Sequence, residues 1–125
     1  QLTGGEGTNT INARFYDSAG NSSSVIITSA ILDTVSPSNP TIHINDYNDS
    51  VTELTNSGVV KLHLSATDAD FAMISNRSDF LGASWIGYSA NAINWNLDSG
   101  TDGLKSVYVK FKDKAGNISN SVNDT

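Results

Sequence analysis

The feature that most constrains this chain is an internal repeat at an offset of 96 residues. Residues 105–117 read K-S-V-Y-V-K-F-K-D-K-A-G-N, and residues 9–21 carry a similar stretch. A shift of 96 positions aligns the two without a gap. Self-similarity at a fixed offset is the signature of repeat architecture. Identical pairs include Gly7 and Gly103, Phe15 and Phe111, Asp17 and Asp113, Ala19 and Ala115, Gly20 and Gly116, Asn21 and Asn117, and Ser23 and Ser119.

Both copies alternate apolar and polar residues with the period of a β-strand. In the first copy Ile11, Ala13 and Phe15 share one face, and each copy ends in the sequence D-x-A-G-N. Asp, Gly and Asn in this order favour a turn, because Asp bonds nearby backbone amides and Gly tolerates positive φ. Alternation elsewhere predicts further strands, whereas no segment has a helical period. The predicted strands cover residues 9–17, 24–32, 41–45, 60–66, 71–74, 93–97 and 107–111.

A boundary is predicted at residues 33–40, which read D-T-V-S-P-S-N-P. Two prolines so close together remove backbone donors and hold the chain extended. The sequence therefore predicts two parts: residues 1–34 as the last β-hairpin of a preceding module or a donated hairpin, and residues 35–125 as one module. A chain of this length can bury one core.

Strand spacing and turn chemistry predict an all-β fold, an antiparallel Ig-like β-sandwich of immunoglobulin or fibronectin type III character. Residues 65–69 (S-A-T-D-A), 73–76 (M-I-S-N), 80–85 (F-L-G-A-S-W), 94–97 (N-W-N-L) and 102–119 then follow in order, with Tyr88 between the third and fourth motifs. In this order they resemble the Ig-like tandem repeats of large bacterial and archaeal cell-surface proteins. The resemblance implies an extracellular, non-enzymatic building module of an S-layer, adhesin stalk or filament.

At the 96-residue offset Thr125 matches Ser29, so the given sequence contains no copy of Ala30–Thr34. The last strand of the second module is therefore expected to be incomplete. Two interpretations remain open: the chain is a fragment of a longer tandem array, or its N-terminal hairpin completes a neighbour by strand donation. The expected partners are accordingly neighbouring Ig-like modules or copies of the chain itself.

Composition narrows the function classes further. The formal net charge is −6 and the pI is near 4.5. Nucleic-acid binders normally present a basic surface, so nucleic acid is not an expected partner. The sequence contains no cysteine, which excludes disulfides and thiolate metal sites. No apolar run is long enough to span a membrane, and no signal peptide is recognisable.

Three aspartates are candidate calcium ligands, and calcium is the one cofactor that the sequence suggests. Asp68, Asp70 and Asp113 supply hard oxygens near predicted strand ends. A structural role in turns is the favoured interpretation, because Asp17 and Asp113 already have an adequate role as turn-bonding residues. His43 and His63 are expected to face solvent and to bind no metal. No motif places a nucleophile beside a base, so the chain is predicted not to be an enzyme.

Aromatic residues and sequons suggest contact with glycans. Trp85, Tyr88 and Trp95 would form a platform for sugar rings if they were exposed together, which makes a carbohydrate-binding module the alternative function. Core packing is the competing interpretation, because Trp95 shares its strand face with Ile93 and Leu97. In a host that glycosylates, N-glycans are predicted at Asn21, Asn48, Asn76, Asn117 and Asn123.

Overall fold

A computed structural model describes residues 4–45 and 54–125 of the chain. The chain divides into two compact units, Gln1–Thr34 and Val35–Thr125. The described residues form nine β-strands and no helix, and therefore no helix that could cross a membrane. All paired strands are antiparallel. The all-β fold predicted from the period-two patterning is confirmed.

The first unit consists of one two-stranded ladder. Strand β1 (Gly7–Ala13) pairs with β2 (Ile26–Leu32) in a continuous register from Gly7↔Leu32 to Ala13↔Ile26. Beyond the ladder an isolated bridge joins Tyr16 to Ser22, so the two chain segments stay together up to the turn. β1 begins and ends earlier than the predicted strand 9–17. The last residue of the predicted strand, Asp17, belongs to the D-x-A-G-N turn instead.

The second unit contains two sheets. Its described strands are β3 (Ser38–Ile44), β4 (Val59–Thr67), β5 (Phe71–Ser75), β6 (Trp85–Gly87), β7 (Ile93–Asn96), β8 (Val107–Lys112) and β9 (Val122–Asp124). The three-stranded sheet has the order β3-β4-β7, and the four-stranded sheet has the order β6-β5-β8-β9. The chain passes from one sheet to the other three times, after β4, after β6 and after β7.

One apolar cluster lies between the two sheets, which is the arrangement of a β-sandwich. β4 and β8 show the clearest alternation, because every second side chain of each strand is buried. Burial of these side chains provides the main driving force for folding. The buried apolar residues are Ile42, Ile44, Val60, Leu62, Leu64, Ala72, Ile74, Val107, Val109 and Phe111.

The residues of the predicted boundary, 33–40, overlap the start of β3. β3 is an edge strand of its sheet, and it contains Pro40 together with a register shift between Ser38 and Thr41. Asn39 has a φ of 51°, which is the left-handed region that Asn tolerates better than most residues. A proline fits here because an edge strand leaves one row of backbone groups outside the ladder.

One prediction about the strands is wrong. The sequence pattern predicts no strand between residues 76 and 88, but Trp85–Gly87 forms β6 and pairs with β5 from Phe71↔Gly87 to Met73↔Trp85. A strand of three residues is too short to show a period of two, and Gly87 lowers its β-propensity. Only the pairing with β5 makes the segment a strand.

Candidate functional site

The D-x-A-G-N turn of the second unit is held by the carboxylate of Asp113. Its Oδ1 accepts hydrogen bonds from the backbone amides of Gly116 at 2.7 Å and Asn117 at 2.9 Å. Its Oδ2 accepts one from the side-chain amide of Asn117 at 2.9 Å. Gly116 has a φ of 99°, which favours glycine at this position. One buried side chain thus fixes the whole turn, because Asp113 is only 5% exposed.

The turn of the first unit repeats this arrangement. Oδ1 of Asp17 accepts hydrogen bonds from the amides of Ala19 at 2.9 Å and Asn21 at 2.8 Å, and Oδ2 accepts one from the Asn21 side chain at 2.8 Å. Gly20 has a φ of 89°. The predicted role of both aspartates as turn residues is therefore seen in the geometry of both copies.

The serine two residues beyond each turn extends the correspondence. Ser119 donates its backbone amide to the carbonyl of Phe111 at 2.9 Å, and its Oγ accepts the Phe111 amide at 2.9 Å. Ser23 makes the same pair of bonds with Phe15, at 2.9 and 3.1 Å. The two turns therefore share side-chain and backbone hydrogen bonds as well as sequence.

The strand register repeats with the same offset. In the first unit Ile11 pairs with Thr28 and Ala13 with Ile26. In the second unit Val107 pairs with Asp124 and Val109 with Val122. Adding 96 to each number of the first set gives the second set. The β1–β2 ladder is thus the structural counterpart of the β8–β9 ladder, and a shift of one residue would have destroyed the match.

The two ladders differ in what covers them. Phe111 is 0% exposed in the core of the second unit, whereas its counterpart Phe15 is 64% exposed. Ile11 and Ile26 are also exposed, although the matching residue Val107 is buried and Val122 packs against the core. The strand face that is buried in the second unit is therefore exposed in the first unit.

The turn hydrogen bonds lower the pKa of both aspartates. For Asp113, burial alone raises the pKa, but the hydrogen bonds from the side chain and backbone of Asn117 and from the neighbouring amides together lower it below its ordinary value. For Asp17, the side-chain and backbone bonds from Asn21 lower the pKa. Both turns therefore favour the ionised carboxylate.

The other two candidate calcium ligands, Asp68 and Asp70, have surroundings that differ from those of Asp113. Asp68 follows β4 in a turn and has a φ of 58°. Asp70 forms an ion pair with Lys114, with 3.3 Å between Oδ1 and Nζ. In the described part of the chain no three His, Asp or Glu side chains are grouped as a metal site would require. Calcium binding stays a prediction, and the geometry favours the structural role for Asp113.

The two histidines lie closer together than their separation in sequence indicates. His43 on β3 pairs directly with His63 on β4. Directly opposite residues on antiparallel strands have Cβ atoms about 5 Å apart. Both side chains are half-buried. The expectation that they face solvent is therefore wrong in part, and only the strand register could have revealed the pair.

Trp85 lies on the outer face of the four-stranded sheet among lysines. The Nζ of Lys112 is 4.6 Å from the centroid of the Trp85 ring, and the Nζ of Lys110 is 5.8 Å from it. Lys110 also lies 4.5 Å from the Phe80 ring, and Lys112 lies 5.0 Å from the Phe71 ring. Cation–π contacts of this kind cover the ring faces on which a sugar would stack.

Tyr88 and Trp95 pack against the core instead. The Tyr88 ring meets Phe111 edge to face, with 5.3 Å between centroids and 86° between planes. The indole nitrogen of Trp95 donates to Oδ1 of Asn76 at 2.7 Å. Both residues are partly buried beside the core cluster. The three aromatic side chains therefore do not share one open platform.

The predicted sequons fall into three groups. The side-chain amides of Asn21, Asn76 and Asn117 donate hydrogen bonds within the chain, to Asp17, to Asn96 and Asp98, and to Asp113. Asn123 is exposed on β9. Asn48 lies outside the described residues. Glycosylation stays a prediction at all five positions; of the four described ones, Asn21 and Asn123 are exposed, and Asn76 and Asn117 are half-buried.

Comparison with known protein families, with curated proteins and with solved structures finds no match for the chain. The features that bear on function are the repeated turn, the repeated register and the burial of each copy.

Proposed function

We propose that this chain is a structural repeat module of an extracellular surface assembly, such as an S-layer, an adhesin stalk or a filament, and not an enzyme. The observation that supports it best is the identical register of the β1–β2 and β8–β9 ladders at an offset of 96 residues. A protein that carries the same ladder twice at a fixed spacing has the organisation of a tandem array, in which each unit contacts its neighbours in sequence.

In this proposal residues 1–34 are the last two strands of an Ig-like module that precedes Val35–Thr125. A two-stranded sheet is at best marginally stable alone in water. The exposed side chains of Ile11, Phe15 and Ile26 are those that would enter a core of the second unit's kind. The missing cover is then a set of strands equivalent to β3–β7.

The surface location rests on the resemblance to Ig-like repeats and on composition. The net charge of −6, the absence of cysteine and the abundance of Asn, Ser and Thr suit an exposed spacer. The expected partners are neighbouring modules of the same kind. The function is mechanical: stacked sandwiches give length and hold whatever lies at the end of the array.

The carbohydrate-binding alternative receives less support. It requires exposed aromatic faces, whereas Lys110 and Lys112 lie over the Trp85 ring and Tyr88 packs on Phe111. Self-assembly by strand donation remains the second candidate, because the exposed apolar face of the first unit is also what a donated hairpin would carry.

Concatenation tests the array directly. Residues 30–125 span one 96-residue period, so we expect two, four and six such units in one chain to form a rod. The maximum dimension in small-angle scattering should increase by a constant step of roughly 30 to 40 Å per unit, since strands of up to nine residues rise about 3.3 Å per residue. Units joined by flexible Gly/Ser linkers serve as the control. A maximum dimension that grows only with the cube root of mass would overturn the proposal.

A further inference from the structure

A groove of about 490 Å³ opens at one end of the second unit. Its lining includes the apolar residues Ile44, Val60, Leu97 and Leu104, together with Leu54 and polar residues, and Thr125 also lines it. Ile44 and Val60 belong to the buried core, whereas Leu104 is 76% exposed. The groove thus lies directly against buried core side chains and beside a largely exposed leucine.

The repeat shows how far the equivalent ladder of the first unit continues. There β1 begins at Gly7 and β2 continues to Leu32, so the ladder includes the pairs Thr10↔Ser29, Asn9↔Ala30, Thr8↔Ile31 and Gly7↔Leu32. In the second unit the β8–β9 ladder stops at Val107↔Asp124, and β8 begins only at Val107. Residues 103–106, which match Gly7–Thr10, lie outside any strand in the structure.

Strand geometry fixes which side chains of a longer β9 would enter the groove. Residues directly opposite in a ladder point to the same face, and the face alternates along the strand. Val109 and Val107 face the core opposite Val122 and Asp124. Positions 126 and 128 would therefore also face inwards. They match Ala30 and Leu32, a small and a large apolar residue, and both are half-buried in the first unit.

We propose that this groove binds a four-residue continuation of β9. The continuation pairs with residues 103–106. It places a small side chain and then a large apolar side chain against Ile44, Val60 and Leu97. The segment continues β9 itself. An intact β2 from a second copy cannot take the place, since β9 already occupies the positions that match Ile26–Thr28. The inference rests on the proposed function, in which a longer chain supplies these residues.

A completed strand should stabilise the second unit and order residues 103–106. It supplies ladder hydrogen bonds to backbone that has no strand partner at these positions in the described structure, and it removes apolar groove surface from water. Leu104 would gain a cross-strand neighbour on the outer face, opposite the position that matches Ile31. The proposal thus predicts a change in exchange as well as in stability.

The test appends Ala-Ile-Leu-Asp-Thr, the sequence of Ala30–Thr34, after Thr125 of the full chain. Thermal unfolding should show a Tm higher by roughly 5 to 10 °C, and amides among residues 103–106 should exchange with solvent at least tenfold more slowly. Two matched controls change one appended residue each. Aspartate in place of the appended leucine, which faces inwards, should abolish the gain; aspartate in place of the appended isoleucine, which faces outwards, should keep most of it.

Equal Tm values for the original and the extended chains would overturn the proposal, as would equal losses in the two aspartate controls. Light scattering checks the source of the strand. We expect monomers throughout, and an original chain whose oligomers disappear on extension would show that a second copy fills the groove, which contradicts the proposal. If the extended chain shows no gain in Tm, concatenated units can still form rods. If concatenated units are compact, the extended chain can still show the gain in Tm. The two tests can therefore fail independently.

Discussion

Replacement of Phe111 by alanine is expected to lower the free energy of unfolding of the second unit by about 3 to 5 kcal/mol. The ring is 0% exposed and packs edge to face on Tyr88. Its removal leaves a cavity between the two sheets that the surrounding strands can fill only in part. Urea unfolding followed by the fluorescence of Trp85 and Trp95, both of which lie in the second unit, measures the change.

The repeat supplies a matched control for this variant. Phe15 occupies the equivalent position in the first unit but is 64% exposed. Phe15→Ala in the same chain should change the unfolding of the second unit by less than about 0.5 kcal/mol, as surface substitutions usually do. Similar losses of unfolding free energy for the two variants would contradict the assignment of Phe111, and not Phe15, to a covered core.

Asp113→Ala is the second substitution with a large expected effect. It removes the acceptor of three part-buried hydrogen bonds, from two backbone amides and the Asn117 side chain. Donors that are left without an acceptor where water has limited access cost more than the bonds contribute in net terms. We expect the Tm of the second unit to fall by roughly 5 to 15 °C, measured by circular dichroism.

Asp17→Ala is the control, because it also removes the acceptor of three hydrogen bonds, from the amides of Ala19 and Asn21 and from the Asn21 side chain, but in an exposed turn whose amides water can reach. The effect of pH should distinguish the two variants further. The pKa of Asp113 is lowered in the folded state, so its stabilisation is present above the ordinary value of 3.8 and is lost as the pH falls through the lower folded value. Asp113→Ala should therefore flatten the acid-induced decrease in Tm. An unchanged decrease would contradict the proposed role of the carboxylate.

The parts of the fold that could be predicted from sequence are those with regular patterns. The alternation of Val107, Val109 and Phe111 gave their burial, and the offset of 96 residues gave the equivalence of the two turns before any pairing was known. Both follow from local chemistry: side-chain period and the conformational demands of Asp, Gly and Asn.

The rest depended on contacts between distant residues. Trp85–Gly87 is a strand only because β5 lies beside it, and His43 meets His63 only through the β3–β4 register. The lysines over Trp85 come from β8, which no local pattern near Trp85 reveals. The groove at Leu104 could not be located, since its existence depends on how far β9 runs and on which side chains of three other strands lie beneath it.

Hydrogen exchange of a lengthened chain shows whether the β1–β2 ladder is the end of a module. Residues 35–96 are placed before Gln1, which matches position 97 at the 96-residue offset, so that β1 and β2 follow a full set of β3–β7 strands. Phe15→Ala in this longer chain is the control, and it should now destabilise the new unit as Phe111→Ala destabilises the existing one. If the β1–β2 ladder is the end of a preceding module, its amides should become as protected as those of β8 and β9. Amides of β1 and β2 that exchange as fast as in the original chain would contradict the account.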